Sequence, residues 1–212
     1  MEYAILKGES DPRFADDAIL AGAVTYEAAH IAIYAGAPFK ADAAKKLILI
    51  ELGEECLSEH VGEDGIANVL GFARYRNGND PASSLVEVVR QDIHDEETVT
   101  LARAFFEGLG LRAAVSADQV GRIISRLVVP KYNSALRLLD EGLASQKDMD
   151  LTCKLGLGYP DGPIERVVRG GLEHHYLRSQ ALFEVYPSQS TAPARRAVVA
   201  YRRAVGRGRP GI

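Results

Sequence analysis

The pattern of apolar residues changes near residue 117, and this change limits the folds that the chain can adopt. Before that point, short apolar runs alternate with helical stretches; after it, only helical spacing of apolar residues remains. Strands that alternate with helices favour a mostly parallel sheet with helices on its faces, whereas a series of helices favours a bundle. We therefore expect an α/β domain over residues 1–117 and an all-α domain over residues 118–212.

In the first part, compact apolar runs predict buried strands, and clusters of turn-forming residues separate them. An alanine-rich stretch ended by glycine and proline predicts one helix, and a stretch with acidic residues in its first turn predicts another. The predicted strands are Tyr3–Leu6, Leu47–Leu52, Asn68–Phe72, Leu85–Val89 and Leu111–Val115, and the predicted helices are Ala15–Gly36 and Asp95–Leu109.

In the second part, apolar residues recur at helical spacing from Val120 to Leu143. Pro130 predicts a kink there, because proline cannot donate the hydrogen bond that a helix interior needs. A stripe this long must be covered by the bundle's own core or by a partner chain. Capping signals then predict helices from Ser145 through Lys154 with Gly156 as the stop, from Pro163 to Gly170, and from Leu172 to Tyr186.

Composition and charge exclude several classes of protein. The net charge of −4 gives no reason to expect nucleic-acid binding. No apolar run reaches the roughly 18 residues of a membrane span, and the N-terminus lacks the pattern of a signal peptide. Cys56 and Cys153 are too few and too far apart for a disulfide framework or a zinc site. We expect a cytoplasmic protein with reduced thiols and no bound metal.

Several motifs narrow the fold further. They are LVEVV (85–89), DEETV (95–99), GRIISRLVVPKYN (121–133), LLDEGLAS (138–145), DMD (148–150) and KLGLGYPDGP (154–163). In order and spacing they resemble the patterns K-L-V-E-V-V, G-F-I-V-N-R-L-x-x-P, E-G-V-A-S, D-I-D and K-L-G-x-G-x-P-x-G-P of the 3-hydroxyacyl-CoA dehydrogenase family. The resemblance covers residues 66–186, whereas residues 1–65 match weakly or not at all.

The resemblance implies a shortened Rossmann-like sheet followed by an all-α domain like the C-terminal domain of 6-phosphogluconate dehydrogenase. Enzymes of the family oxidise the 3-hydroxyl of an acyl-CoA with NAD, and their helical domain completes the substrate cleft and forms the dimer. A His takes the hydroxyl proton, a Glu orients that His, and Ser and Asn side chains hold the oxygen.

The sequence departs from the family where the cofactor binds. No G-x-G-x-x-G follows a strand, although these glycines let the backbone approach the pyrophosphate at a helix N-terminus. The part before the helical domain is also shorter than a complete family Rossmann domain. We therefore expect no bound cofactor, and NAD only if the protein is an active enzyme.

The catalytic positions also differ. The family His lies just before the L-V-E-V-V strand, in a G-x-H-F-F-N-P pattern. Counting from Gly71 places Ala73 at the His position, whereas counting back from Glu87 places Tyr75 there. Neither residue is a base near neutral pH, since the ordinary pKa of Tyr is about 10. Glu87 and Ser125 then occupy vestigial catalytic positions, those of the family Glu and Asn.

One segment and two further residues complete the predicted site. Gly53–Leu57 stands in the place of the family's N-T-S-S-L turn. His60, in the polar segment that follows, is the only credible replacement base, because His94 should be exposed at the start of a helix. Asn133 is expected to line the substrate cleft. The acidic residues near His60 are expected to be solvated rather than metal-bound.

The leading hypothesis is a catalytically impaired or non-catalytic family member. It would act as a homodimer, as the partner subunit of a dehydrogenase, or as an acyl-CoA-binding protein. The alternative is an active acyl-CoA enzyme with a rebuilt site. Residues 191–212, with six arginines and no acid, are expected to form a solvated, mobile tail; contact with a CoA phosphate or an acidic partner is the other possibility.

Overall fold

The computed structural model describes residues 1–8 and 22–207. It confirms an α/β part followed by an all-α part, in two compact units. The sequence predicts the boundary after residue 117, and the contacts place residues 118–122 with the sheet and residues 76–82 with the helices. Unit 1 comprises Met1–Tyr75 and Ser83–Arg122, and unit 2 comprises Arg76–Ala82 and Ile123–Ile212.

Unit 1 is built on a six-stranded sheet in which the strands follow one another in the order β1-β2-β3-β4-β5-β6. Neighbouring strands are parallel, except β4 and β5, which are antiparallel. All five predicted strands are confirmed, with ends shifted by at most two residues. The strands are β1 (Tyr3–Lys7), β2 (Ile31–Ala35), β3 (Leu47–Glu51), β4 (Val69–Arg74), β5 (Leu85–Arg90) and β6 (Arg112–Ala117).

The predicted helix Ala15–Gly36 is wrong over its described residues 22–36, which contain no α-helix, and residues 31–35 form β2 between β1 and β3. All five side chains of β2 are buried. A strand buried on both faces carries a continuous apolar run without the alternation of a half-exposed strand, and so its pattern does not distinguish it from a buried helix. Residues 15–21 of the prediction lie outside the described residues.

Apolar clusters cover both faces of the sheet. On one face, the strands pack against helix α2 (Glu96–Gly108), which buries Phe105 and Phe106. On the other face, the connection between β3 and β4 supplies Leu52 and Leu57 and contains the short helix α1 (Ser58–Val61). Helix α2 was predicted, and the Asp95 carboxylate caps it by accepting a hydrogen bond from the Thr98 N–H at 2.8 Å.

Unit 2 consists of helices α3 (Ile123–Asp140), α4 (Gln146–Leu157), α5 (Pro163–Arg169), α6 (Leu172–Val185) and α7 (Arg195–Arg207). The predicted cap at Ser145 is confirmed, since its Oγ accepts a hydrogen bond from the Asp148 N–H at 3.2 Å. The predicted stop at Gly156 is wrong. Helix α4 continues to Leu157 and ends at Gly158, whose φ of 69° is left-handed and favours glycine.

The apolar stripe of α3 is divided between two environments. Leu136 is fully buried in a core with Tyr132 and Ile164, whereas Leu127 is 70% exposed. Pro130 lies inside the helix, as expected. The bundle therefore covers only part of the stripe. Among the described residues, no helix is both long and apolar enough to cross a bilayer.

The expectation of a mobile tail is wrong for residues 195–207, which form α7. Ala194 and Ala197 are almost fully buried, and the ring of Tyr201 stacks on that of Tyr176 in α6 with centroids 4.3 Å apart. Small residues on one side of α7 let it approach its neighbours closely. The arginines lie mainly on the opposite, exposed side.

Candidate functional site

The register of β4 and β5 decides which residue stands opposite Glu87. The two strands pair Ala73 with Glu87, and directly paired residues of antiparallel strands place their Cβ atoms about 4.5–5.5 Å apart on one face. Both residues are buried, Ala73 with 8% and Glu87 with 4% exposed. Tyr75 lies beyond Arg74, the last residue of the ladder. Of the two alternatives that the sequence left open, the ladder therefore places Ala73 across from Glu87.

The surroundings of this pair are closely packed. A Cβ added at Gly71, on the same face as Ala73, would lie 2.4 Å from Leu52 Cδ1 and 3.1 Å from Val89 Cβ. The alanine methyl group offers no proton acceptor. The ladder thus presents a buried carboxylate opposite an apolar side chain and contains no imidazole–carboxylate pair.

Asp118 organises the turn that follows β3. Its carboxylate oxygens accept hydrogen bonds from the N–H groups of Leu57 and Ser58 at 2.6 and 2.8 Å. The Gly121 N–H donates to the carbonyl of Glu54 at 2.8 Å. These bonds fasten residues 54–58, which we call the acidic turn, to residues 118–122. The acidic turn includes most of the segment that replaces the family's N-T-S-S-L sequence.

His60 lies at the edge of the acidic turn. Its Nε2 is 3.8 Å from Glu55 Oε1, and about a third of each side chain is exposed. This distance suits an ion pair but is longer than a hydrogen bond. A carboxylate beside an imidazole is an arrangement that can orient and charge a general base.

Cys56 lies in the same turn and is partly buried. Burial raises the pKa of its thiol, and the Asp118 carboxylate raises it further, against the opposing effect of the Arg122 guanidinium. The thiol therefore stays protonated and is a poor nucleophile at neutral pH. Among the described residues, no three His, Cys, Asp or Glu side chains are grouped so that they could hold a metal ion.

His94 is buried, contrary to the expectation that it is exposed. It is 2% exposed, and its Nε2 lies 2.6 Å from the carbonyl oxygen of Val69. Because a carbonyl only accepts, Nε2 carries a proton, and Nδ1 lies within hydrogen-bond distance of both the N–H and the carbonyl oxygen of Gln91, at 2.9 and 3.0 Å. Both ring nitrogens are used to join β4 to the turn before α2.

Asn133 is a structural centre of unit 2. It is completely buried, and its Nδ2 donates to the carbonyls of Ser190 and Thr191 at 3.0 and 3.3 Å. Its Oδ1 accepts hydrogen bonds from His175 Nε2 at 3.0 Å and from the Ala194 N–H at 3.2 Å. These bonds join α3 to α6 and to the segment before α7. A role for Asn133 in a substrate cleft would require them to break.

Sequence reasoning missed His175, which follows His174 directly in α6. His174 is exposed, but His175 is 5% exposed, and burial followed by the charges of Arg178 and Arg137 lowers its pKa to about 4. The signal that could have identified it is Ser179 at position i+4, which places a second polar group on the same face of α6. Ser125, predicted as a vestigial catalytic residue, is also buried, in the first turn of α3.

In unit 2, residues of the motifs that resemble the family stabilise the ends of helices. The carboxylate of Asp150 accepts hydrogen bonds from the N–H groups of Ile164 and Glu165, at 2.9 and 3.0 Å, at the start of α5. A Cβ at Gly162 would lie 2.2 Å from Asp150 Cβ, so only glycine fits beside this cap. Pro163 at the first helical position has no N–H to satisfy. The D-x-D and G-P patterns therefore have a structural role, since they stabilise the start of α5.

Comparison with known proteins agrees with this geometry. Residues 121–211 match the family described as 3-hydroxyacyl-CoA dehydrogenase, C-terminal domain. The chain is 38% identical to the mitochondrial hydroxyacyl-coenzyme A dehydrogenase of Homo sapiens over 93 aligned residues. The aligned region makes up 44% of this chain and 30% of that protein. It is 34% identical to the 3-hydroxybutyryl-CoA dehydrogenase of Bradyrhizobium diazoefficiens over 104 aligned residues, which make up 49% of this chain and 36% of that protein.

Solved structures show the same fold. The (S)-3-hydroxybutyryl-CoA dehydrogenase from Ralstonia eutropha superposes with a TM-score of 0.71 at 20% identity, over 84% of this chain and 66% of that one. The 3-hydroxybutyryl-CoA dehydrogenase from Escherichia coli superposes with a TM-score of 0.69 at 20% identity, over 85% of this chain and 40% of that one. The chain spans about a third of the length of the curated relatives named above. Residues 121–211 therefore resemble the C-terminal domain of the 3-hydroxyacyl-CoA dehydrogenases, and the solved dehydrogenases share the fold of most of the chain.

Proposed function

We propose that the protein does not oxidise 3-hydroxyacyl-CoA and acts as a non-catalytic member of its family. It would do so as a homodimer or as the partner of an active dehydrogenase. The observation that supports this is the pairing of Ala73 with Glu87, where the resemblance leads us to expect a His. Without an imidazole there, β4 supplies no base to take the hydroxyl proton, a contribution worth about 10²–10⁴ in rate.

We also propose that this chain does not bind NAD with useful affinity. The sequence contains no G-x-G-x-x-G after a strand. The described strands β1 to β4 also follow one another without a reversal of order, whereas dinucleotides bind in the crevice where strand order reverses. Calorimetry with NADH tests this directly. A dissociation constant tighter than about 100 μM, which should raise stability by about 2.7 kcal/mol at hundredfold excess, would contradict the proposal.

The activity test follows NADH absorbance with short-, medium- and long-chain 3-hydroxyacyl-CoA substrates. We expect no turnover, and a rate above about 1 s⁻¹, within the usual enzyme range, would refute the proposal. Ala73→His and Tyr75→His form a matched pair, because only position 73 faces Glu87. Neither should restore activity while the nicotinamide has no binding site. Activity in Ala73→His alone would uphold the importance of the missing His and overturn the cofactor proposal.

The partner surface would lie on unit 2. Among the described residues, the only large apolar side chains of unit 1 that are strongly exposed are Met1, Val24 and Ile93. Unit 2 exposes many more, and four are more than 60% exposed: Leu127, Leu143, Leu155 and Leu157. Soluble proteins seldom leave large apolar patches uncovered unless they bind a partner. We therefore propose that α3 and α4 contribute to an obligate interface, which often buries more than about 2,000 Å².

Light scattering at micromolar concentration tests the oligomeric state. We expect a dimer that Leu127→Glu or Leu155→Glu dissociates without loss of helical content, because both side chains are exposed. Leu136→Glu is the contrasting variant and should unfold unit 2, because Leu136 is fully buried. A stable wild-type monomer would exclude a homodimer. Co-purification with a complete dehydrogenase would then support the partner-subunit form of the proposal.

A second candidate is an acyl-CoA enzyme with a rebuilt site. The observation that favours it is the pairing of His60 with Glu55, in and beside the segment that replaces the family's N-T-S-S-L turn. His60 would then act as the general base. Calorimetry with CoA tests ligand binding separately from turnover. If any turnover is observed and His60→Ala abolishes it, this candidate replaces the first.

A further inference from the structure

Arg122, the last residue of unit 1, is a buried cation for which the described residues provide no ion-pair partner. It is 4% exposed, and its Nη2 donates to the carbonyl of Glu55. Its Nε and Nη1 are also buried, with no hydrogen-bond acceptor among the described residues. Arginine keeps its charge at physiological pH, so loss of a proton cannot relieve the cost of burying it. The guanidinium therefore lies where an acceptor would stabilise it.

Asp118, Glu59 and Glu55, three carboxylates in and around the acidic turn, have hydrogen-bond or ion-pair partners other than Arg122. Both oxygens of Asp118 accept backbone N–H groups at the start of α1. Glu59 Oε1 accepts a hydrogen bond from the Cys56 N–H at 2.9 Å, and Glu55 Oε1 faces His60. The polar contact of Arg122 with this turn is the carbonyl of Glu55. This contact orients the guanidinium without neutralising it.

The shape of the guanidinium indicates which anion it can accept. Its five N–H groups form two planar forks, one between Nε and Nη2 and one between Nη1 and Nη2. Whichever hydrogen Nη2 gives to Glu55, one fork stays open, because both Nε and Nη1 are unused. A planar fork binds two oxygens of one group, the geometry of a carboxylate or a phosphate.

The charge of the surroundings selects between these two groups. The acidic turn and its immediate neighbours carry Glu54, Glu55, Glu59 and Asp118. A doubly charged phosphate would be repelled by them more strongly than a singly charged carboxylate. Glu55 and His60, in and beside the acidic turn, are each about a third exposed to solvent.

We propose that Arg122 and the acidic turn form a binding site for the carboxylate of a small monocarboxylic acid. The family pattern G-F-I-V-N-R has Phe at this place, so the site is not inherited from the family's chemistry. The proposal rests on the geometry of unit 1 and is independent of whether the protein oxidises acyl-CoA.

Thermal unfolding at pH 7 in sodium acetate, sodium phosphate and sodium chloride of equal ionic strength tests the site. Acetate should raise the Tm of the wild type above its value in chloride, and phosphate should raise it less. Arg122→Lys keeps the charge but removes the fork, so the acetate concentration for half the effect should rise about tenfold or more. Arg103→Lys, which changes an exposed arginine of unit 1, should respond like the wild type.

Three outcomes would overturn the proposal: no difference between acetate and chloride, a stronger effect of phosphate, or an unchanged acetate response in Arg122→Lys. If Arg122→Lys does not fold, Arg122→Phe is the second variant, because it places the family's own residue there. It should fold and show no acetate response. An acetate response that persists in Arg122→Phe would also overturn the proposal.

Discussion

Acidification should destabilise unit 2 through His175, and the size of the effect follows from its surroundings. In the folded protein, burial lowers the pKa of His175 from 6.5 to about 4. As pH falls, the unfolded chain therefore takes up the proton before the folded one. The stability contributed by the neutral ring is fully present above about pH 6.5 and is lost as pH falls towards 4. At about 1.4 kcal/mol per pKa unit, the loss is about 3 kcal/mol.

The assay is the free energy of unfolding by denaturant, measured from pH 8 to pH 4. The wild type and His174→Gln, a change at the exposed neighbour, should show the same decline below about pH 6.5. His175→Gln removes the titrating group, so its stability should be lower at pH 7 and nearly constant down to about pH 5. The carboxyls of Asp140 and Asp161, whose pKa values Arg195 and Arg169 lower in the folded protein, add a loss of stability below about pH 5. The wild type and both variants share this loss, so it cancels when their pH dependences are compared.

Equal pH dependence of His175→Gln and the wild type would refute the reasoning. It would mean that burial and the charges of Arg178 and Arg137 do not keep the ring neutral. A rise in stability on acidification would contradict the sign of the linkage. Either result would contradict the inference that the buried His175 ring stays neutral in the folded protein.

Three further substitutions probe the structural claims, each by denaturant unfolding. Gly162→Ala should lower the free energy of unfolding by about 1–3 kcal/mol, because its Cβ would overlap Asp150. Gly156→Ala has nothing within 4 Å of its Cβ and should stabilise α4 by about 0.5–1 kcal/mol. Equal effects of the two substitutions would contradict the explanation of the motif. Asp118→Ala should cost about 2–3 kcal/mol because two backbone N–H groups lose a charged acceptor, and an unchanged midpoint would show that the acidic turn is held otherwise.

Local chemistry in the sequence was enough to predict most of the helical unit. The cap at Ser145 and Pro163 at the start of α5 act within one helical turn, so the structure confirms them. Five of the six strands in the described part of the chain were also predicted, because their flanking turn formers and apolar runs are local signals. The motifs at Asp150 and Gly162 matched a family because steric fit at a helix start leaves few other choices.

The tertiary structure decided what depends on residues far apart in the chain. Residues 31–35 became a strand because two neighbouring strands bury them, although alanine-rich sequence favours a helix. The choice between Ala73 and Tyr75 opposite Glu87 required the register of a ladder that no local pattern specifies. His94 is buried and hydrogen-bonded to a carbonyl 25 residues away in sequence, and His175 is buried and hydrogen-bonded to an amide oxygen 42 residues away. Burial of a polar side chain depends on such distant acceptors, and these are fixed only when the chain has folded.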